Sequence, residues 1–362
     1  GVLHMLNLGD SWQGLFLLAS AVTVAGGVQL LGLMVILRQH HLLVRPRLRP
    51  LLPATKRIAA MTLPMLVPLG ALQFSALFER VYALIMSGEG SYTLFGLTFA
   101  KPLAEGVVTR LYAANRLFQF PLGLLSISVA TVVFPLLSRH AADNDMPGLR
   151  TTTNLALRLN LFMGVPAAVA LMLLASPIVS VLFQRDGFTA ADAARTAFIL
   201  QMYCLGLWAV FCNHILLRAM FAMKDTRDPM RIAATLVGIN MLLVAFVIFT
   251  PLGAAGIGLV ATVTAVLNTL ALGVVLRRRI GSFGLRSIAG SLARTAIATA
   301  IMSGIIFSIV RSAWHDGVVV AGGVVLGTAG FLLTAKLLGS EELSLLLGSL
   351  LRRKGDDATE GT

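Results

Sequence analysis

Apolar stretches dominate the chain, and nine of them are long enough to cross a lipid bilayer. A spanning helix needs about 20 apolar residues, because each residue advances the helix by about 1.5 Å. The predicted spans are 12–37, 57–87, 104–138, 150–183, 190–222, 230–250, 253–276, 287–311 and 317–338. Several exceed 30 residues, so we expect tilts or kinks; the prolines that mark the expected kinks are Pro64, Pro68, Pro121, Pro166 and Pro177. The pattern predicts an all-α polytopic membrane protein with about nine transmembrane helices.

Charged residues separate the spans and predict an orientation. With spans alternating in direction, loops on one side carry nineteen lysines and arginines and loops on the other side three. The positive-inside rule places the richer side, and with it the C-terminus, in the cytoplasm. Residues 38–57 alone carry six positive charges, so they form either a basic linker between two helical lobes or an ordinary cytoplasmic loop.

Composition agrees with a membrane protein. Only 12% of residues are charged and 57% are hydrophobic, whereas soluble domains carry about 25% charged residues. The net charge of +13 lies in short loops, so we interpret it as a topology signal and as contacts to anionic lipids, with no nucleic-acid partner. Cys204 and Cys212 lie too far apart on one predicted helix to form a disulfide.

A polar stripe runs along the predicted span 104–138. Its members recur every third or fourth residue and therefore share one face of the helix. They are Glu105, Thr109, Tyr112, Arg116, Gln119, Gly123, Ser126 and Ala130. An arginine inside a bilayer is a candidate functional residue, and its guanidinium matches phosphate oxygens in a two-pronged contact. The alternative is a structural arginine paired with a nearby acid. The stripe indicates a transport pathway with Arg116 at its centre.

Other polar residues within the spans have structural alternatives. Glu79 and Arg80 are adjacent in the second span, and His214 could titrate near neutral pH or simply pack through a hydrogen bond. We expect Arg110, Arg158 and Arg218 to extend toward the membrane interfaces. The turn 224–229 needs only helix capping. No acid pair or metal motif indicates an enzyme, and we expect no cofactor.

Four co-linear segments resemble the lipid II flippases of the MurJ/MviN type, within the superfamily that includes the multidrug and toxin extruders (MATE-like). They are LYAANRLFQFPLGLLSISVATVVFPLLSR (111–139), LFQRDGFTAADAARTAFILQMYCLGL (182–207), FAMKDTRDP (221–229) and PLGAAGIGLVATVTAVLN (251–268). The resemblance implies a MATE-like bundle in which fourteen helices form two lobes plus two extra helices. Matched to it, this chain would be truncated at the N-terminus and contain helices six to fourteen.

The resemblance also implies a division of the chain. The end of the first lobe is expected at 1–37, with its last helix at 12–37. The remaining parts are a basic cytoplasmic linker (38–57), the second six-helix lobe (58–280), two additional C-terminal helices (281–338) and a cytoplasmic tail (339–362).

Site residues follow from the same resemblance. Arg116 matches an arginine implicated in binding the substrate diphosphate, and the predicted substrate site adds Asn115, Gln119, Tyr112 and Thr109. Many relatives carry acids where Asn115 and Gln119 stand here. A site for Na⁺ or H⁺ coupling is expected at Glu79, Arg80, Asn240 and Thr264. A second acid expected near Asn240 is Val244, so a buried structural pair is the alternative there.

The functional hypothesis is a flippase of the bacterial inner (cytoplasmic) membrane. It would move lipid II, a polyprenyl-diphosphate glycopeptide, between the leaflets by alternating access for cell-wall synthesis. Rival hypotheses within the superfamily are an O-antigen-type flippase of lipid-linked oligosaccharides and a drug/cation antiporter. A membrane scaffold that transports nothing is the third alternative.

Overall fold

The computed structural model describes residues 12–39, 74–94, 97–185, 187–312 and 314–346. Contacts divide the chain into two units, Gly1–Ala60 and Met61–Thr362, and each is described by itself. The described part of the first unit is one helix, α1 (Trp12–Gln39), whose stretch Ala19–Gln39 is long and apolar enough to span a membrane. This helix confirms the predicted span 12–37.

The second unit is built from helices and one small hairpin. Helix α2 is described over residues 74–85, and the hairpin strands are β1 (Ser91–Leu94) and β2 (Leu97–Ala100). The long helices that follow are α3 (Val107–Pro121), α4 (Ile127–Ala142), α5 (Met146–Leu173), α6 (Ala175–Phe183), α7 (Ala190–Cys204), α8 (Leu207–Ala222), α9 (Arg227–Val247), α10 (Ala254–Ile280), α11 (Leu285–Val310) and α12 (Asp316–Leu337). Residues 341–346 form a short last helix, α13.

Within the described residues, six helices are long and apolar enough to span a membrane, or eight spans if each of two bent pairs counts as one. The bent pairs are Val107–Ser126 with Val129–Ala142, and Ala190–Cys204 with Leu207–Ala222. Eight of the nine predicted spans therefore have a helical counterpart. The ninth, 57–87, lies partly outside the described residues.

Two interruptions follow from proline chemistry. Proline has no N–H and its ring clashes with the carbonyl four residues earlier. After Pro121 the chain forms one π-helical turn, Leu122–Ser126, and the two halves of this span meet at 46°. Pro177 cannot bond the Leu173 carbonyl, and α5 ends at that residue. Helix α5 continues through Pro166, and Pro64 and Pro68 lie outside the described residues.

The buried apolar side chains of the second unit form several clusters between its helices. Helix α5 packs against α4, α8 and α11, while α10 packs against α7, α8 and α9. Phe162 and Phe211 are among the largest fully buried side chains. The Phe162 ring also packs against the tilted ring of Phe331 on α12, with 5.1 Å between the ring centres, so α5 and α12 share one apolar cluster.

A β-hairpin lies in the connection between α2 and α3. Its antiparallel register pairs Ser91 with Ala100 and Leu94 with Leu97. The Gly88 N–H donates to the Leu103 carbonyl at 3.1 Å. Gly88 has a φ of +97°, which favours glycine. The helical patterning did not predict this hairpin.

Candidate functional site

Arg116 lies on the exposed face of α3 and is oriented by a neighbour one turn earlier. Its Nε donates to the Tyr112 hydroxyl at 2.9 Å, and its guanidinium carbon lies 4.9 Å from the centre of the Tyr112 ring. Tyr112 is 48% exposed. Among the residues that the structure covers, Arg116 forms no ion pair with a carboxylate. Its charge is therefore held in place and available to an anion.

The other predicted substrate residues divide between two sides of α3. Gln119 is exposed, and its amide nitrogen donates to the Asn115 side-chain oxygen. Asn115 itself lies beside Tyr203 of α7, with which it interacts and lines one cavity. Thr109 is exposed about two turns before Arg116. The structure thus places Tyr112 at Arg116 and turns Asn115 toward the interior of the lobe.

A cavity of about 150 Å³ with a mixed polar and apolar lining lies on that interior side. Its polar lining comes from four helices, with Glu79 on α2, Asn115 on α3, Tyr203 on α7 and Thr262 on α10. Gly206, at the break between α7 and α8, completes one wall. Because a carboxyl, an amide and hydroxyls converge there, the cavity can hold water or a small cation.

The predicted coupling residues on three helices come together beside this cavity. Glu79 lies close enough to the Asn240 side chain to interact with it. The Ser75 hydroxyl donates to the Asn240 oxygen at 3.2 Å, and the Asn240 nitrogen donates to the Thr264 hydroxyl at 3.4 Å. Arg80 is exposed and lies instead over Tyr112, with 6.0 Å between its guanidinium carbon and the ring centre.

The break between α7 and α8 shapes the cavity. The Gly206 N–H bonds the Tyr203 carbonyl at 3.1 Å, three residues back, so the Met202 carbonyl loses its helical donor. Thr262 replaces that donor, because its hydroxyl donates to the Met202 carbonyl at 2.6 Å. A Cβ on Gly206 would lie 2.8 Å from the Thr262 Cα. The missing side chain therefore lets α10 approach the break.

Tyr203, Ser75 and Gly206 were not predicted as site residues. Ser75 lies one turn before Glu79, a spacing that the sequence displays. No comparable signal identifies Tyr203 or Gly206, because their positions in the cavity depend on how α7 and α10 pack against α2 and α3.

The structure gives two arginines carboxylate partners that the sequence did not predict. Arg110 is 5% exposed, and its Nη1 lies 2.6 Å from Asp192 of α7. Arg158 is likewise paired, with Glu341 and Glu342. Each carboxylate compensates a buried charge, and neither pair is close in sequence.

His214 and Arg218 also have local partners. His214 Nδ1 lies 2.9 Å from the Ser126 hydroxyl, so a packing hydrogen bond accounts for its position. Arg218 is half-buried and donates to Thr131 at 3.4 Å. No group of three or more His, Cys, Asp or Glu side chains in the described part of the chain could hold a metal ion.

Long kinked apolar helices, a broken helix pair, a partly polar cavity and an accessible arginine define the class: a polytopic membrane protein with the architecture of a transporter lobe. The comparisons with known proteins identify the family. The family model described as "Lipid II flippase MurJ" matches residues 2–324. The chain belongs to this family, and the predicted resemblance is confirmed.

Curated relatives support the same assignment. The "Probable lipid II flippase MurJ" of Bdellovibrio bacteriovorus is 34% identical over 263 residues, which cover 72% of this chain and 46% of the relative. The protein of that name from Vibrio cholerae is 31% identical over 288 residues, covering 79% and 51%. The chain therefore spans about half the length of the curated relatives it matches.

Two solved structures show the fold. A lipid II flippase MurJ in an inward closed conformation matches with a TM-score of 0.55 and 24% identity, covering 64% of this chain and 47% of that one. An outward-facing multidrug resistance MATE family transporter of the MOP superfamily matches with a TM-score of 0.50 and 15% identity, covering 80% and 66%. The predicted MATE-like helical fold is confirmed; the hairpin is a small addition to it.

Proposed function

We propose that this chain forms the lipid II-binding lobe of a flippase in the bacterial cytoplasmic membrane. The flippase moves the lipid-linked peptidoglycan precursor from the inner to the outer leaflet by alternating access, and its activity is transport rather than catalysis. Membership of the family described as lipid II flippase MurJ supports this function.

The observation that carries the proposal is the state of Arg116. A diphosphate entering the membrane needs a compensating positive charge, because an unpaired ion in hydrocarbon costs several kcal/mol. Arg116 supplies a guanidinium fixed by Tyr112 and, in the described part of the chain, not neutralised by a carboxylate. This arrangement favours an anionic headgroup as cargo.

Genetic complementation tests the function. The full-length gene product is expressed in cells depleted of their own lipid II flippase, as wild type, Arg116→Ala, Arg116→Lys and the control Arg195→Ala. Arg195 is exposed near the start of α7. We expect wild type and Arg195→Ala to restore growth, Arg116→Ala to fail, and Arg116→Lys to rescue partly because lysine lacks the two-pronged donor set. Equal rescue by Arg116→Ala would remove the proposed role of this charge.

The rivals predict different outcomes. A drug/cation antiporter requires a carboxylate where the cargo binds, whereas the exposed face of α3 at Tyr112 presents the guanidinium of Arg116. An O-antigen-type flippase would translocate an oligosaccharide diphosphate lipid and not lipid II in proteoliposomes. A scaffold that translocates no lipid would fail to restore growth as wild type and as Arg116→Ala alike.

We further propose that Glu79 carries the coupling to Na⁺ or H⁺. Asn240, which interacts with Glu79, is bonded to Ser75 and Thr264, and these oxygen and amide groups are of the kind that hold a hard cation or pass a proton. The position of a second acid is filled by the fully buried Val244. With one carboxylate, the site suits a monovalent cation.

Transport by wild type and Glu79→Gln in proteoliposomes identifies the ion. Stimulation by a Na⁺ gradient that disappears in Glu79→Gln indicates sodium, and stimulation by a pH gradient alone indicates protons. A Glu79→Gln protein with unchanged response to both gradients would show that Glu79 is a structural residue.

The orientation follows from the charged loops. We propose that the C-terminus is cytoplasmic and that exposed arginines on that side contact anionic lipid headgroups. These arginines are Arg227, Arg231, Arg277 and Arg278. Alkaline phosphatase fused after residue 337 should be inactive, whereas a fusion within the loop 88–103 should be active. The reverse pattern would invert the topology.

A further inference from the structure

Helices α2 and α3 each carry an adjacent pair of residues that point to two different environments. Arg80 and Arg116 both lie at the ring of Tyr112, at 6.0 and 4.9 Å from its centre. Their sequence neighbours, Glu79 and Asn115, both line the inner cavity. The two helices therefore present two guanidinium groups on one side, and one carboxyl and one amide on the other.

Glu79 interacts electrostatically with Arg80 but is not in ion-pair contact with it. Within the described residues, neither Arg80 nor Arg116 forms an ion pair, whereas Arg110, Arg158 and Arg279 each contact a carboxylate within 3.0 Å. Two like charges that share one ring repel each other, and an exposed cation–π contact contributes only about 0.5–1 kcal/mol. A multivalent anion would relieve this repulsion.

We propose that Arg80 is a second binding residue for the cargo, and that Arg80 and Arg116 form a two-guanidinium site for a diphosphate group with Tyr112 as their shared platform. The proposal rests on the proposed function and adds a ligand class and a residue to it. Each guanidinium presents a planar set of donors that matches one phosphate group. Two of them therefore select a diphosphate over a monophosphate.

Tyr112 contributes in two separable ways. Its hydroxyl accepts a hydrogen bond from Arg116, while its ring lies near both guanidinium groups. Removing the hydroxyl alone affects only the orientation of Arg116. Removing the ring affects both arginines, so Tyr112→Leu should weaken binding more than Tyr112→Phe.

Binding measurements on the full-length gene product test the site. The protein is placed in nanodiscs of phosphatidylcholine, which lack anionic lipid, and undecaprenyl diphosphate, undecaprenyl monophosphate and inorganic pyrophosphate are titrated separately. The variants are Arg80→Gln, Arg116→Gln, the double variant and Arg195→Gln as a matched exposed control. The two lipids measure diphosphate selectivity, and inorganic pyrophosphate separates recognition of the headgroup from that of the chain.

We expect Arg80→Gln and Arg116→Gln each to weaken binding of the diphosphate lipid about tenfold, because each removes a charge-assisted contact. The monophosphate lipid should be affected less, so its affinity and that of the diphosphate lipid converge. The effects of the two substitutions should be non-additive in the double variant. Arg195→Gln should bind all three probes like wild type.

Unchanged diphosphate selectivity in Arg80→Gln would overturn the proposal. If that variant does not fold, Arg80→Lys decides, since it keeps the charge and loses the planar donor set: reduced selectivity supports the site, and wild-type selectivity overturns it. Lipid II transport is measured in parallel. Selective diphosphate binding without lipid II transport would overturn the proposed function but support the two-guanidinium site. Lipid II transport together with wild-type selectivity in Arg80→Gln would support the function but overturn the site.

Discussion

The Arg158 guanidinium on α5 donates to the Glu342 carboxylate at 2.7 Å, although 184 residues separate them in the sequence. Glu342 is 1% exposed and also accepts hydrogen bonds from Ser291 at 2.7 Å and Ser340 at 2.8 Å. This network joins α5, α11 and the short helix α13. The segment after α12 is therefore bonded to the helical core through one buried carboxylate.

Removing the Glu342 carboxylate should destabilise the protein. Glu342→Ala removes the buried acceptor of Arg158, Ser291 and Ser340 while Glu341 still contacts Arg158, and we expect the free energy of unfolding to fall by about 2 kcal/mol. Reaction of the buried thiols of Cys204 and Cys212 with a fluorescent dye on heating reports the unfolding midpoint. The matched control is Glu341→Ala, whose side chain is 65% exposed and should contribute less than about 1 kcal/mol. Equal midpoints for the two variants would contradict this account.

The same carboxylate predicts a pH dependence. Burial alone would raise the pKa of Glu342, but hydrogen bonds from Ser291 and Ser340 and the contact with Arg158 lower it to about 2. A lowered folded-state pKa stabilises the protein above the unfolded-state pKa of about 4.3, and this contribution is lost as the pH falls toward 2. The unfolding midpoint of wild type should thus decrease more steeply than that of Glu342→Gln between those values. Parallel curves would show that Glu342 does not contribute.

Because α10 lies close to the break between α7 and α8, substitution of Gly206 should destabilise the protein. A Cβ at Gly206 would meet the Thr262 backbone at 2.8 Å, so Gly206→Ala should lower the free energy of unfolding by about 2 kcal/mol. Gly273 on α10 has no neighbouring atom within 4 Å of the corresponding position. Gly273→Ala is therefore the control, and it should be neutral or stabilise the helix by up to about 1 kcal/mol. The thiol-reactivity measurement distinguishes them, and similar midpoints would contradict the close contact.

The buried pair of Arg110 and Asp192 predicts a further asymmetry between arginines. Asp192 also completes the capping box with Thr189 at the start of α7. Arg110→Ala removes the charge that compensates Asp192, and we expect a loss of about 2 kcal/mol in unfolding free energy. Arg195 is exposed on α7, the helix of Asp192. Arg195→Ala should therefore change the free energy of unfolding by less than about 0.5 kcal/mol. Heat-induced aggregation in detergent provides the comparison, and a stable Arg110→Ala would argue against a structural pair.

For the arginines, the sequence predicted contacts within one helix but not contacts between helices. The spacing along α3 identified Arg116 and Tyr112 as neighbours, because residues four apart share a helix face, and the structure joins them. The same reasoning predicted that Arg110 extends to a membrane interface, because its partner Asp192 lies 82 residues later and helical spacing could not reveal it. Pairing across that distance depends on which helices pack together. Helical periodicity does not contain that information.

The predicted coupling residues show the same difference between what the sequence and the packing determine. The resemblance to the flippase family implied Glu79, Asn240 and Thr264, and the structure brings them together beside one cavity. Tyr203 and the broken helix at Gly206 complete that cavity. They were missed because a tyrosine and a glycine in an apolar span are ordinary residues until the packing of the neighbouring helices is known.

The sequence by itself determined the membrane-spanning helices, the kink at Pro121 and the polar face of α3. These features depend on runs of apolar residues, on proline's missing N–H and on helical spacing, which are local properties of the chain. The tertiary structure decided which arginines are neutralised and which remain available. Arg110 and Arg158 meet distant carboxylates while Arg80 and Arg116 share a tyrosine. Electrostatic compensation acts between side chains that only helix packing brings within reach.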